Sequence, residues 1–182
     1  EGRDKILELR ASDTSGVTLL DELRTTVEEL ALIHPQSFDL AQTGRSASLE
    51  PAVFENVLEV AREGVRNAVL HSNALVVAVR IFYAPDALTL AVCDDGDGLP
   101  ASVAEAGYLE GHWGLVGMRE RAQRLHASLS LLQAPGGGTE LRLVVPGHVA
   151  YRGKRPRLWA TIRNWFAVKK SSPPDGANDR FR

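Results

Sequence analysis

The chain has 182 residues, 44% of them hydrophobic, which excludes an intrinsically disordered chain and allows one sizeable globular core. The net charge of −2 is unevenly distributed along the chain. Residues 151–182 hold nine Lys or Arg and two Asp, whereas residues 1–150 carry a net charge of −9. An acidic main body excludes a broad basic face for nucleic acid, so no nucleic acid partner is expected.

The chain is predicted to begin with a helix and a short strand. Leucines and valines recur near i, i+3, i+4 and i+7 and predict a helix to about Leu32. The helix should stop there because Pro35 disfavours helical geometry in the residue before it. Residues 37–44 alternate apolar and polar side chains and end at a glycine, which predicts a strand.

Residues 48–72 predict a long helix. Ser48 is a candidate N-cap, and Pro51 suits the first turn because its missing N–H costs nothing there. Glu50 would lie near the positive end of the helix dipole. Apolar residues recur at helical spacing along this segment, so one side of the helix should be buried.

The second half of the chain is predicted to contain four strands, a long loop and a helix. The β-rich runs 76–83 and 87–93 are joined by a turn and predict a hairpin. Residues 101–113 have no clear period and predict a lid or binding loop. A helix that starts on glycines follows, and strands at 128–133 and 139–145 close the sheet. This order predicts an α/β fold with a mixed, mostly antiparallel sheet.

Three polar side chains, Glu63, Asn67 and His71, recur every four residues along the long helix. Each step of four turns about 400°, so the three share one face. A carboxylate and an amide oxygen one turn apart suit Mg²⁺, which takes one or two protein oxygens beside water and phosphates. The plainer interpretation is the solvent-facing side of an amphipathic helix, and the spacing alone favours it.

Two glycine-containing segments each have a functional and a plain interpretation. Residues 94–98, DDGDG, follow a strand and suit a cation or an exocyclic amine, or else form an Asp/Gly turn. Residues 111–121, GHWGLVGMRER, place glycines where a loop becomes a helix. Free backbone N–H groups and the helix dipole would favour a phosphate there, but a ligand-free helix start has the same pattern. Residues 136–139, GGGT, by themselves indicate only a hairpin turn.

Taken in order, these segments resemble the GHKL ATPase superfamily, most closely the catalytic ATP-binding domain of bacterial sensor histidine kinases of the nitrate-sensor type. REGVRNAVLHS resembles the N-box, DDGDG the G1 box, GHWGLVGMRERA the G2 box and PGGGTEL the closing Gly-Thr motif. The resemblance implies a Bergerat fold, a two-layer α/β sandwich with helices on one face of the sheet. It places this domain at residues 37–147. Residues 1–36 are then a helical connector or the end of a dimerisation hairpin, and residues 148–182 a tail.

The resemblance implies ATP and Mg²⁺ as cofactors and a role for each matched residue. Glu63 would polarise the attacking group. Asn67 would bind Mg²⁺, with Glu63 as a further candidate ligand. Asp94 would accept a hydrogen bond from the adenine amino group. The other implied nucleotide-binding residues are His71, Gly96, Gly98, Gly111, Gly114, Leu115, Gly117 and Thr139.

Two positions depart from the family pattern. Leu70 occupies a position where Lys or Arg is common, and Val116 one where Arg is frequent. Each missing phosphate-directed cation is expected to weaken ATP binding by about 1 kcal/mol if exposed. His71 is the nearest replacement donor.

The implied function is transfer of the ATP γ-phosphoryl group to a histidine on a dimerisation domain of the same parent protein, for relay to a response regulator. None of the chain's five histidines has the context of that acceptor. The chain should therefore bind ATP without phosphorylating itself. The alternatives are an anti-sigma-factor-type serine kinase and a degenerate nucleotide-binding or docking module without turnover.

A cytoplasmic location, as part of a membrane-bound sensor, is expected. No stretch approaches the roughly 20 apolar residues that cross a bilayer, and a lone Cys93 is typical of a reducing compartment. The start at Glu1 without Met indicates a fragment. Residues 150–170 combine basic and aromatic side chains and suit a short helix for a membrane surface or a partner, a docking helix, or a disordered extension.

Overall fold

The computed structural model of the chain describes residues 17–98, 113–134 and 136–152. The predicted loop at 101–112, the tail beyond residue 152 and Gly111 lie outside these described residues. Helices and strands follow in this order: α1 Leu19–Ala31, β1 Ser37–Thr43, α2 Pro51–His71, β2 Val76–Tyr83, β3 Ala87–Asp94, α3 Trp113–Arg124, β4 Ser128–Gln133, β5 Thr139–Pro146 and α4 Gly147–Ala150.

The five strands form one sheet in the order β1-β2-β3-β5-β4. β1 and β2 are parallel because α2 carries the chain back between them, and the other three pairs are antiparallel. The prediction of a mixed, mostly antiparallel sheet is confirmed. The sheet order places the carboxyl end of β3 beside the start of β5, where two of the candidate motifs meet.

The main core lies on one face of the sheet. Alternate residues of the central strands, such as Val79 in β2 and Leu90 in β3, are fully buried there. They pack with Val57 and Val65 of α2 and with Met118 of α3. The predicted two-layer arrangement, with helices on one face, is confirmed.

The start of α2 differs from the predicted N-cap. The helix begins at Pro51, and Glu50 is the N-cap residue, without a side-chain capping hydrogen bond. Ser48 lies two residues before the N-cap, in an extended segment where its carbonyl accepts the Arg152 amide at 2.9 Å and Leu49 bridges Tyr151. Pro51 then fixes the first helical residue, as predicted.

A short helix, α4, follows β5 and was not predicted. Ala150 is fully buried. The hydroxyl of Tyr151 lies 2.8 Å from the Ala84 carbonyl and 3.0 Å from the Ala87 carbonyl, at the β2–β3 turn. Burial raises the pKa of this hydroxyl. The described chain therefore ends tied to the turn end of the sheet.

Candidate functional site

The three polar residues predicted on one stripe all lie in α2. The Glu63 side chain is 18% exposed, Asn67 is partly buried and His71 is exposed. On the sheet side of the helix, Val65 and Ala68 are buried. The plain interpretation of a solvent-facing stripe therefore fits His71 but not Glu63, which lies against other parts of the protein.

Glu63 lies directly beside the start of α3. A Cβ atom on Gly114 would lie 1.9 Å from the Glu63 Oε1 atom and 2.8 Å from its carboxyl carbon. α3 therefore starts so close to the acid that a side chain at position 114 would displace the Glu63 carboxylate. The first turn of α3 also exposes backbone N–H groups, since the first four amides of a helix lack partners within it.

A cavity of about 330 Å³ opens between α2 and α3 at this point. It is lined by Glu59, Arg62, Glu63, Arg66, Gly114, Gly117 and Arg121. Three arginines and two glutamates thus line a space bounded by a helix start, and the single excess positive charge together with the helix dipole favours an anion there.

These arginines were not among the predicted site residues. Arg66 forms an ion pair with Glu63, and its side chain is 60% exposed. Arg62 pairs with Glu22 and Glu59 at 3.2 Å each, so other acids already engage it. Arg66 lies between Glu63 and Asn67 in the sequence. A basic residue between two predicted site residues was the signal that could have identified Arg66.

Asp94 ends β3 and is 8% exposed. Its Oδ1 atom accepts hydrogen bonds from the backbone amides of Gly96 at 3.0 Å and Thr139 at 3.2 Å. Burial raises the pKa of the Asp94 carboxyl, and the amides of Gly96 and Thr139 together with the Ser72 hydroxyl oppose part of that shift. Two amides thus fix one carboxylate oxygen in a buried position.

The glycines around Asp94 are needed for close backbone contacts. A Cβ on Gly96 would lie 1.9 Å from the Ser72 carbonyl oxygen. Gly138 has a φ of +81°, and a Cβ there would lie 1.9 Å from the Asp94 carbonyl oxygen. These contacts join the end of α2, the DDGDG loop and the β4–β5 turn into one unit.

The other two aspartates of the loop have structural partners. Asp95 Oδ1 accepts the amides of Leu75 and Val76 at 2.8 and 2.9 Å. Asn73, with a φ of 54°, donates its side-chain amide to Asp97 at 2.7 Å. This leaves Asp94 as the aspartate of the loop that is buried beside the β5 start.

Ser72 and Asn73 were not predicted as site residues. Ser72 is 8% exposed, and its carbonyl accepts the Asp97 amide at 2.8 Å. The sequence signal that could have identified them is a pair of small polar residues directly after a long helix, where side chains often satisfy the last turn.

The remaining predicted positions differ in their surroundings. Leu115 packs against the main core, so it anchors the start of α3. Gly98 has a φ of +80°, where glycine is favoured, and lies against Gln133. Leu70 and Val116, the two departures from the family pattern, are 54% and 47% exposed. Cations at either position would have reached solvent or a ligand.

α2 connects the two ends of the site. Asp94 lies by Ser72 at the carboxyl end of the helix. Glu63 precedes Ser72 by nine residues, which is about 13 Å along the helix axis at 1.5 Å per residue. Asn67 lies between them. The arrangement therefore has a buried hydrogen-bond acceptor at one end and an arginine-lined, glycine-bounded cavity at the other.

The described residues contain no group of three or more His, Cys, Asp or Glu side chains that could hold a metal ion by themselves. Mg²⁺ does not require one, because water and substrate phosphates usually complete its shell. The single amide of Asn67 beside Glu63 is a donor set of that kind.

Comparison with known families decides the class. Residues 53–148 match the family described as "Histidine kinase-, DNA gyrase B-, and HSP90-like ATPase". The chain belongs to this family. The match spans every described element from α2 to the first residues of α4, including both ends of the site.

Two relatives of the chain are named as sensor proteins. The chain is 41% identical over 93 residues to the nitrate/nitrite sensor protein NarQ of Escherichia coli K12, covering 50% of this chain and 16% of that protein. It is 36% identical over 107 residues to a NarQ homolog of Haemophilus influenzae, covering 58% of this chain and 18% of that protein. The chain thus spans less than a fifth of the length of these two relatives.

Solved structures show the same fold. The ATP-binding domain of PrrB from Mycobacterium tuberculosis has a TM-score of 0.59 and 24% identity, covering 72% of this chain and 95% of that one. The catalytic domain of histidine kinase ThkA has a TM-score of 0.60 and 13% identity, covering 71% and 91%. The family match, the sensor relatives and the fold identify a histidine kinase-type ATP-binding catalytic domain.

Among the described residues, no helix has the length and apolar character needed to cross a bilayer.

Proposed function

We propose that this domain binds ATP with its adenine at Asp94 and its phosphates between α2 and α3, and transfers the γ-phosphoryl group to a histidine on a dimerisation domain of its parent protein. The observation that carries the proposal is the buried Asp94 carboxylate, held by the Gly96 and Thr139 amides at one end of α2 while Glu63 lies at the other. Both ends are joined by one rigid helix, which sets the distance between base and phosphates.

Adenine recognition is the role of Asp94. Its Oδ1 atom accepts two backbone amides, so the second oxygen is held in a fixed direction and can accept the exocyclic amine of adenine. A base without that amine would leave a buried carboxylate oxygen without a donor, which costs about 1–3 kcal/mol or more for a charged group. The carboxylate therefore selects adenine over guanine.

Phosphate binding is the role of the cavity beside Glu63. The first amides of α3 point toward the negative charge, and Gly114 and Gly117 leave room for it to approach. Arg66 supplies positive charge at the same place and so replaces one of the cations lacking at Leu70 and Val116. Asn67 would hold Mg²⁺, with Glu63 as a second ligand, and bound Mg²⁺ would neutralise phosphate charge.

Glu63 would polarise the attacking imidazole. Phosphoryl transfer depends mainly on positioning and electrostatic stabilisation, so an oriented carboxylate beside the phosphate cavity is adequate. Gly114 fixes its place from one side and Arg66 from the other.

The partners follow from this chemistry. The acceptor is a histidine-bearing dimerisation domain of the same parent, and a response regulator then receives the phosphoryl group. The domain would work in the cytoplasm, where ATP is available and the buried Cys93 thiol stays reduced. The names of the relatives, sensor proteins for nitrate and nitrite among them, support a two-component role.

The test combines this chain with a separate fragment of the parent that carries the dimerisation helices, in the presence of γ-labelled ATP. The expected label is acid-labile and alkali-stable, as phosphohistidine is, and appears on the added fragment and not on this chain. Glu63→Gln should abolish transfer while ATP still binds. Glu55→Gln, two turns earlier in α2, is the matched control and should transfer normally, because Glu55 is exposed and does not line the cavity.

Two outcomes would contradict the proposal. Label that is acid-stable and on serine would indicate a serine kinase. ATP binding without any transfer would indicate a nucleotide-binding module without turnover.

A further inference from the structure

The cavity between α2 and α3 contains more positive than negative charge. Three arginines line it, Arg62, Arg66 and Arg121, together with the two glutamates Glu59 and Glu63. An arginine that forms an ion pair with a carboxylate has its charge offset locally, so it attracts a second anion less strongly. Which of the three cations acts on a ligand therefore depends on how these groups are paired.

The two arginines on α2 are engaged by carboxylates. Arg62 forms ion pairs with Glu22 and Glu59 at 3.2 Å each. Arg66 forms an ion pair with Glu63. Both glutamates that line the cavity are therefore used by these two arginines.

Arg121, on α3, is left with the excess charge. Within the described part of the chain, no carboxylate forms an ion pair with its guanidinium. Its Nη1 atom donates to the Gly117 carbonyl at 3.1 Å, in a partly buried position. A guanidinium carries more N–H donors than this one bond uses, so the others can serve a ligand in the cavity.

The geometry of α3 directs Arg121 toward the start of that helix. Gly114, Gly117 and Arg121 are spaced i, i+3 and i+7, so they share the side of α3 that borders the cavity. Helical side chains lean toward the N-terminus, and the bond to the Gly117 carbonyl shows that Arg121 extends in this direction. A Cβ on Gly117 would lie 3.1 Å from the Nη1 atom of Arg121. Glycine at this position therefore leaves room for the guanidinium beside the first turn of α3.

The cavity lies at the end of the site remote from Asp94. Asp94 is beside Ser72, at the carboxyl end of α2, whereas the cavity is lined by residues between 59 and 66 of the same helix. In the proposed function Asp94 holds the adenine, so the cavity receives the part of the nucleotide farthest from the base. In ATP this part is the terminal phosphates, which carry most of the negative charge.

We propose that Arg121 binds the terminal phosphates of the nucleotide and thereby favours ATP over nucleotides with fewer phosphates. Its planar guanidinium can donate two parallel hydrogen bonds to one phosphate, a geometry that lysine does not provide. Leu70 and Val116 supply no cation, and Arg121 provides one from α3. This inference rests on the proposed placement of the nucleotide and adds the residue that distinguishes the number of phosphates.

Titration calorimetry of the full chain with ATP and with AMP, each in the presence of Mg²⁺, tests this role. Arg121→Gln removes the charge and should weaken ATP binding by about tenfold, while AMP binding stays within about twofold of the wild type. Arg121→Lys keeps the charge without the planar group and should recover part of the lost affinity. The difference between the wild type and Arg121→Gln should shrink at high salt.

Arg124→Gln is the matched control. It removes the same charge from the same helix, but Arg124 pairs with Glu120 and does not line the cavity. This variant should bind ATP like the wild type. Thermal melting shows whether each variant is folded. If Arg121→Gln does not fold, Arg121→Lys takes its place and should bind ATP more weakly than the wild type but AMP equally well.

Two results would overturn the proposal. The first is wild-type ATP affinity in folded Arg121→Gln. If transfer to the added dimerisation fragment were lost at the same time, Arg121 would act on the acceptor instead. The second is an equal loss of affinity for ATP and AMP, which would assign Arg121 to the base end of the site or to the stability of α3.

The proposed function fails in a different way. A wild-type chain that binds ATP with this dependence on Arg121, but transfers no phosphoryl group, would contradict the transfer and leave the role of Arg121 intact. A folded wild-type chain that binds no ATP would contradict both.

Discussion

Asp94 is a carboxylate that burial makes harder to ionise, and in the proposed function its ionised form accepts the adenine amine. Burial raises its pKa, while the Gly96 and Thr139 amides favour the charged form and limit the rise. Perturbed carboxyls of this kind occur often at functional sites because ligand recognition, rather than stability, selects them. Asp95 and Asp97, only a few residues away, have structural partners instead.

The stability of the fold should therefore depend on the ionisation of Asp94. Burial raises the folded-state pKa of the Asp94 carboxyl above its ordinary value of 3.8, so the native state binds the proton more tightly than the unfolded state. As pH rises from below 3.8 through the raised pKa, the contribution of Asp94 to the free energy of unfolding should fall. Urea unfolding across that pH range gives the free energy of unfolding of the wild type and of Asp94→Asn. The difference between these two free energies is the contribution of Asp94. Asp21, whose pKa is lowered, contributes equally to both.

The free energy of unfolding of the wild type, relative to that of Asp94→Asn, should fall as the pH rises. If the wild type gained stability over Asp94→Asn as the pH rose, the native carboxyl would have a depressed pKa, and its description as a buried acceptor would be wrong.

Arg66 should contribute to ATP binding through its charge. Because the side chain is 60% exposed, Arg66→Ala should weaken binding by about fivefold, equivalent to roughly 1 kcal/mol, and the loss should shrink at high salt. Leu70→Lys in the same variant should restore affinity, because a cation would again be within reach of the phosphates. Titration calorimetry with ATP measures both.

Arg24→Ala is the matched control, since Arg24 pairs with Asp21 on α1 and does not line the cavity. Equal affinity of the wild type and Arg66→Ala at low salt would contradict a role for Arg66.

At the scale of elements, the β4–β5 turn packs against Asp94, the residue proposed to bind adenine. Gly138→Ala combines a φ of +81° with a Cβ 1.9 Å from the Asp94 carbonyl oxygen, and should destabilise the domain by about 2–4 kcal/mol. Gly136→Ala has a φ of +97° but no atom within 4 Å of the added Cβ, so only about 1 kcal/mol is expected. Urea unfolding of both variants gives the comparison, and equal losses would show that the contact with Asp94 is unimportant.

The helices and strands could be predicted because periodicity directly reflects which side of each element is buried. Val79 and Leu90 alternate with polar or small residues, as half-buried strands require. The start of α2 could not be predicted, because Ser48 and Leu49 lie in an extended segment that contacts Arg152 and Tyr151, more than 100 residues later. The position of β5 between β3 and β4 in the sheet also could not be predicted, because it depends on contacts between residues far apart in the sequence.

Glu63, Asn67 and Asp94 were proposed as site residues from their spacing and from the resemblance to known motifs, and their roles stay predictions. Contacts between distant segments were not predicted. The closeness of Gly114 to Glu63 and the arginine-lined cavity arise from the packing of α3 on α2, which no local pattern encodes. Thr139 was predicted as a site residue, but its contribution in the structure is a backbone amide.

At the scale of the whole molecule, the chain combines an acidic body, which holds the proposed nucleotide site, with a basic C-terminal segment. It covers only 16% of the length of NarQ. In the proposed function, the dimerisation helices and the acceptor histidine belong to other parts of the parent protein.

The central claim is that Asp94 recognises the adenine of ATP, and titration calorimetry of ATP with Mg²⁺ tests it most directly. The wild-type domain should bind ATP with a Kd below 1 mM, and Asp94→Asn should weaken binding at least tenfold, about 1.4 kcal/mol, while remaining folded. Asp86→Asn, in the β2–β3 turn at the other end of β3, should bind like the wild type. No binding by the folded wild type at millimolar ATP, or equal affinity in Asp94→Asn, would contradict the account.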